Sequence, residues 1–206
     1  MPLIRSKPDP GSPKPSGPND LAQDISSGSA DRRWAAARAS ASDPSNVPLL
    51  AAALARETDE RVREAMFSAL ARISTRESVD VILSYLRVDD AAVRTAAMDA
   101  LRVISNEAAS HLTALLTDPD PDVRLLVCDL MRNLRDKEAV HALCELIETD
   151  SEANVCGVAV EVLAEIGDQS TLPSLSRCAA RFPHDPFLAF AVETAASRLR
   201  TASRRV

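Results

Sequence analysis

Apolar residues recur along this chain in two interleaved registers that share one period. The pattern acidic-x-x-apolar-Arg stands as "DERVR" (59–63), "DAAVR" (90–94) and "DPDVR" (120–124), then weakens to "EANVC" (152–156) and "DPFLA" (185–189). Its anchors Val62, Val93, Val123, Val155 and Leu188 are 31, 30, 32 and 33 residues apart. After each of the first three anchors apolar residues fall three, four, seven and eight positions on, as in Ala65, Met66, Ala69 and Leu70. That spacing marks one face of an α-helix. A second apolar series precedes each anchor and begins at Val47, Val79, Ala109, Val140 and Leu172. Core positions follow it at Leu50 and Leu54, Ile82 and Leu86, Leu112 and Leu116, and Leu143 and Ile147. Neither helix of such a unit can bury its own apolar face, so stacking of neighbours must close the core. The expected fold is all-α, a right-handed α-solenoid of about five helix pairs plus a terminal helix from Pro186 to Arg200.

The repeat decides the chemistry of its most suggestive stretch, "DPDPDVR". Asp118, Asp120 and Asp122 alternate like the carboxylates of a calcium loop. Such a loop needs Gly at its sixth position and Glu at its twelfth, where this chain has Val123 and Asp129. The aspartates Asp59, Asp90 and Asp120 instead fit helix N-caps, each three residues before its anchor. Pro121, directly after Asp120, suits a first helical position.

Residues 1–29 hold six of the 13 prolines and three of the five glycines, and are expected to form a disordered tail. Its "SPKPSGP" has polyproline character and serves either as a linker or as a docking segment. The repeat domain is expected over 30–200, followed by a basic tail at 201–206. Phe182, Phe187 and Phe190 are expected to cap the last core layer.

The stretches "DERVREAMFSALARI", "DAAVRTAAMDALRVI", "DPDVRLLVCDLMRNL" and "EANVCGVAVEVLAEIG" resemble the HEAT-repeat superfamily, in its short bacterial, phycobilin-lyase-type form. The resemblance implies a ladder of motif residues along the turns, with Arg63, Arg94 and Arg124 in the row and Cys156 and Ala189 breaking it. It also implies that the second helices line a concave face. Three branches of that superfamily can be set against these residues. The deoxyhypusine hydroxylases bind di-iron through His-Glu dipeptides, but the histidines here read "HL" (111), "HA" (141) and "HD" (184). The alkylpurine DNA glycosylases need a positive concave surface, whereas this chain has a formal net charge of -6. A phycobilin-lyase-like chromophore-handling role stays open as the alternative to a scaffold; nucleic-acid binding is the weaker one.

Partner contact is expected on the second helices. In "SVDVILSYLRVDD" the helical angles put Val81, Tyr85 and Val88 opposite the core as an apolar stripe. Tyr85 either joins that stripe or, like its equivalents Leu115 and Leu146 in later repeats, packs between repeats. Leu49 takes the Val81 position one repeat earlier, and Ser84 lies beside the stripe. Asp80, Arg87, His111, His141 and Glu145 supply mixed charge, which suits a folded protein or helix better than a nucleic acid. The cysteines read as structural: Cys144 at a core position, Cys128 and Cys156 at offsets that do not converge on a metal. No nucleophile–base motif or phosphate loop is present. The expected protein is therefore a non-catalytic adaptor without cofactor or metal, cytoplasmic and without a membrane span or secretory signal. Its partner is another protein, with a monomer slightly favoured, and a bacterial signalling or regulatory setting is the expected context.

Overall fold

The computed structural model describes residues 18–134 and 136–202, and among these it has twelve α-helices and no strand. It divides into two compact units, Met1–Ile73 and Ser74–Val206. The first holds α1 (Pro18–Ser27), α2 (Ala30–Ser40), α3 (Val47–Leu54) and α4 (Glu60–Ile73). There α2 packs against α4 and α1, and α3 against the same two helices. The second unit holds α5 (Arg76–Ser84), α6 (Ala91–Val103), α7 (Ser105–Leu115), α8 (Pro121–Leu130), α9 (Lys137–Thr149), α10 (Ala153–Ile166), α11 (Leu172–Arg181) and α12 (Pro186–Ala202). Within it α6, α8, α10 and α12 stack in sequence, except that the α10–α12 contact also closes the array. The intervening α7, α9 and α11 stack likewise, one upon the next.

Caps explain where these helices begin. The side chains of Asp59, Asp90, Asp120 and Asp185 accept backbone N–H groups of the first turns of α4, α6, α8 and α12. Asp136 does the same for α9, accepting from Ala139 at 2.6 Å, and Thr75 for α5. Each satisfies a donor the helix itself cannot reach and places a partial negative charge at the positive end of the dipole. The apolar stripes then meet between helices: Val62, Met66 and Leu70 are fully buried, as are Val123, Val127 and Leu130. Each such leucine contributes roughly 1.5–3 kcal/mol by leaving water.

Three details differ from the sequence expectation. Pro18–Ser27, inside the expected tail, is helical, and Ile25 is 1% exposed; composition averaged over 29 residues hides the apolar pair Leu21 and Ile25, one helical turn apart. Residues 1–17, with most of the polyproline stretch, and 203–206 of the basic tail lie outside the described residues. In α7 and α9 the first buried positions are Ala108 and Ala139, not Ala109 and Val140; a step of four back from Leu112 and Leu143 keeps the face better than a step of three. For the same reason Thr171 is buried ahead of Leu172.

The third detail is the terminal helix. Phe187 and Phe190 are 86% and 71% exposed, so they do not cap the core. Leu188, Val192, Ala195, Ala196 and Leu199 form the buried face of α12, and Phe187 and Phe190 fall on the other side of that period. Phe182 is half-buried beneath the guanidinium of Arg181.

Candidate functional site

The loops between helix pairs are tied by one recurring bond. The residue after each anchor donates to the carbonyl oxygen six residues earlier: Arg63 to Glu57, Arg94 to Val88, Arg124 to Asp118, and the Cys156 thiol to Asp150. Where Cys156 replaces arginine, Arg181 of α11 supplies the missing guanidinium and donates to the Asp150 carbonyl and to that of Ile147. The same logic identifies an unrecognised first copy. Arg33 donates at 2.8 Å to the Gly28 carbonyl, five residues earlier, as Arg94 and Arg124 also do to Asp89 and Pro119; it grips Glu57 with two bonds, while Ser29 caps α2. In "SADRR" (29–33), Ser29 stands for the acidic residue and Arg32 for the apolar anchor. Both signals used to find the repeat are absent there.

Three carboxylates at equivalent loop positions are held rather than free. The Glu57 side chain is 3% exposed, and its pairing with Arg33 outweighs burial and holds its carboxyl below the ordinary range. Asp118, 5% exposed, accepts from Arg87 and from the Asp120 N–H. Asp150, also 5% exposed, takes two bonds from Arg124 at 2.7 and 3.0 Å and one from the Glu152 N–H. Burial pushes the Asp150 carboxyl up, but those donors pull it further down. Fixed charges of this kind cost no reorganisation when a ligand arrives.

Between α7 and α9 the second unit opens a groove of about 590 Å³. Asp118 and Asp150 stand at its loop end with Arg124. Its walls carry Thr113, Thr117 and Thr149, and the apolar Leu116, Ala142 and Leu146. Glu145 is its open carboxylate, 68% exposed and 3.2 Å from the His141 Nε2. Glu148 is drawn aside by Arg177, which holds its carboxyl below the usual range.

The residues proposed from sequence fall into small groups. His111 Nε2 lies 3.5 Å from Asp80 Oδ1, joining α7 to α5, and Arg76 approaches the same carboxylate at 4.0 Å. His141 and Glu145 pair one turn apart on α9, and Arg87 reaches the groove through Asp118. The apolar stripe of Val81, Tyr85 and Val88 runs past the end of α5. The α-helix stops at Ser84, Tyr85–Arg87 make a 3-10 turn, and Val88 is extended, so constant helical angles do not apply beyond Ser84. Val81, Tyr85 and Val88 are each half-buried, and burial raises the Tyr85 phenol. Ser84 is exposed and its hydroxyl donates to the Val81 carbonyl. Leu49, in the first unit, is half-buried.

The thiols also differ from expectation. Cys144 is half-buried, while Cys128, Cys156 and Cys178 are buried. Cys156 lies beside the Cys178 thiol and near Cys128, so offsets from the anchors did not predict which helices meet. Burial pushes the Cys128 thiol up to about 12. Among the described residues no group of three or more His, Cys, Asp or Glu side chains is placed to hold a metal ion. No helix among them is long and apolar enough to cross a membrane.

The family model that matches the chain is that of HEAT repeats, over residues 19–102 and 109–196. No curated protein matches. Similar solved structures include an engineered protein, 20% identical over 88% of this chain and 95% of that one, with a TM-score of 0.44. Human deoxyhypusine hydroxylase in complex with glycerol is 18% identical over 90% and 86%, with a TM-score of 0.44. The complex of CpcE and CpcF of phycocyanin lyase from Nostoc sp. PCC7120 is 17% identical over 96% and 100%, with a TM-score of 0.42.

Proposed function

The chain belongs to the HEAT-repeat family, and from that premise we propose that it is a non-catalytic scaffold that docks a partner protein in the groove between α7 and α9. The observation that carries this reading is the pair of buried, hydrogen-bonded carboxylates, Asp118 and Asp150, fixed at the groove's loop end beside the open Glu145. Side chains held in place by their own neighbours lose little freedom on binding. The groove offers apolar contact at Leu116, Ala142 and Leu146, hydroxyls along its walls, and in Glu145 an exposed carboxylate, shared with His141, for a basic side chain. His141 adds a polar side chain beside Glu145, and the His111–Asp80 pair joins α7 to α5. The partner fitted to it is a protein segment carrying lysine or arginine among apolar residues.

The test compares proteins retained from native extract by the wild-type chain and by an Ala142→Glu/Glu145→Lys variant of unchanged circular dichroism. The expected result is one protein retained by the wild type and reduced at least about tenfold by the variant, a loss of about 1.4 kcal/mol or more. Retention of the same proteins in equal amounts sinks the reading.

A further inference from the structure

In the first unit the exposed faces of α2 and α4 enclose a cleft of about 300 Å³ whose chemistry is opposite to that of the chain as a whole. The only tryptophan of the sequence, Trp34, forms one wall and is half-buried. Ala41, Ala65 and Ala69 form an apolar floor, and Arg38, Arg61 and Arg72 stand around it with one carboxylate, Glu64. With Asp31, which pairs with Arg61, three guanidiniums stand against two carboxylates, a local excess of one positive charge in a chain of net charge -6.

Two observations say what the cleft would accept. Arg38 and Arg61 lie 4.7 and 5.9 Å from the centre of the Trp34 ring, so the ring already carries cations and a planar base would have to displace them. Arg61 and Arg72 are eleven residues apart on α4, which at the helical rise separates them by about 16 Å. Side chains rooted that far apart along the helix suit carboxylates about five residues apart on an extended peptide better than a single phosphate. Glu64, between them, would repel a continuous phosphate chain, whereas a peptide can set a neutral residue opposite it. The Arg61–Asp31 pair is exposed on both sides, so exchanging Asp31 for an incoming carboxylate costs little.

We propose that this cleft is a second docking site, for an acidic peptide segment of a partner protein, with an apolar residue over the alanine floor beside Trp34 and carboxylates at Arg61 and Arg72. It is separate from the α7–α9 groove and does not depend on it.

Trp34 makes the test direct, since all tryptophan emission comes from this cleft. The full chain is titrated with the acidic peptide acetyl-EELSLEE-amide, with its lysine counterpart KKLSLKK, and with a twelve-nucleotide oligothymidine. The expected result is a saturable emission change with the acidic peptide alone, weakened severalfold between about 50 and 200 mM salt. Arg72→Glu, at an exposed position, should weaken it at least about tenfold with circular dichroism unchanged. Glu64→Gln should tighten it severalfold, a gain that misfolding cannot imitate. Glu145→Lys, in the other groove, should leave it unaltered. No saturable change up to about 1 mM peptide, equal binding of the lysine peptide or the oligonucleotide, or indifference to both Arg72→Glu and Glu64→Gln would overturn the proposal.

Discussion

Ser74, the residue that follows α4, has φ of 51°, a left-handed conformation in a residue that carries a Cβ. Such a residue just past a helix end is usually glycine, because the Cβ crowds the neighbouring carbonyl at a cost of about 1 kcal/mol. Its hydroxyl is also buried and has no hydrogen-bond partner among the described residues. Ser74→Gly removes both penalties and gives back part of the gain through a more flexible unfolded chain. A net stabilisation of about 0.5–1 kcal/mol is expected, read as a higher urea midpoint with an unchanged slope. A lower midpoint would mean that Ser74 is not held in the left-handed region. Nothing in "ARISTRES" distinguishes this serine in sequence, because a side-chain pattern does not report a single backbone angle.

At the scale of the element, legibility followed periodicity. The faces of α4, α6 and α8 were readable because their buried residues repeat at helical spacing behind a constant anchor. α2 was missed because Ser29 and Arg32 carry neither the charge nor the apolar character of the motif, although Arg33 makes the motif's bond. The turn after Ser84 was missed because a helical period says nothing about where a helix tightens. Around the start of α12, three phenylalanines in nine residues, two of them in the helix, outweighed the period itself, wrongly. The corrected register is open to test. Phe187→Ser with Phe190→Ser, both in water, should change the unfolding free energy by less than about 0.5 kcal/mol and shorten retention on a hydrophobic column. Leu188→Ala, between them in sequence and 3% exposed, should cost about 2–4 kcal/mol. The reverse ordering would restore the phenylalanine cap.

At the scale of the whole molecule, what sequence could not supply is partnership between repeats. An acidic residue five positions before the anchor occurs as Glu57, Asp118 and Asp150, and that recurrence is visible in the chain. That Asp118 meets Arg87, and Asp150 meets Arg124, is a product of stacking across 31 and 26 residues. Arg102 with Asp129, and Arg132 with Glu165, bridge neighbouring first helices in the same way. These bonds make stability dependent on acid in a definite direction. The folded-state carboxyls of Glu57, Glu148 and Asp150 lie below their ordinary values. Their pairs therefore contribute fully above the ordinary carboxylate value of about 4, and that contribution is lost as pH falls through the depressed folded values. Asp150→Asn isolates one of them, leaving Arg124 with a weaker neutral partner. At pH 7 the variant should be less stable than the wild type by about 2 kcal/mol. The two urea midpoints should converge as the pH is lowered towards about 3, because the wild type then loses what the variant never had. A gap that stays constant from neutral to acid pH would mean that Asp150 acts through shape and not through charge, and the charged frame assigned to the α7–α9 groove would lose its physical basis.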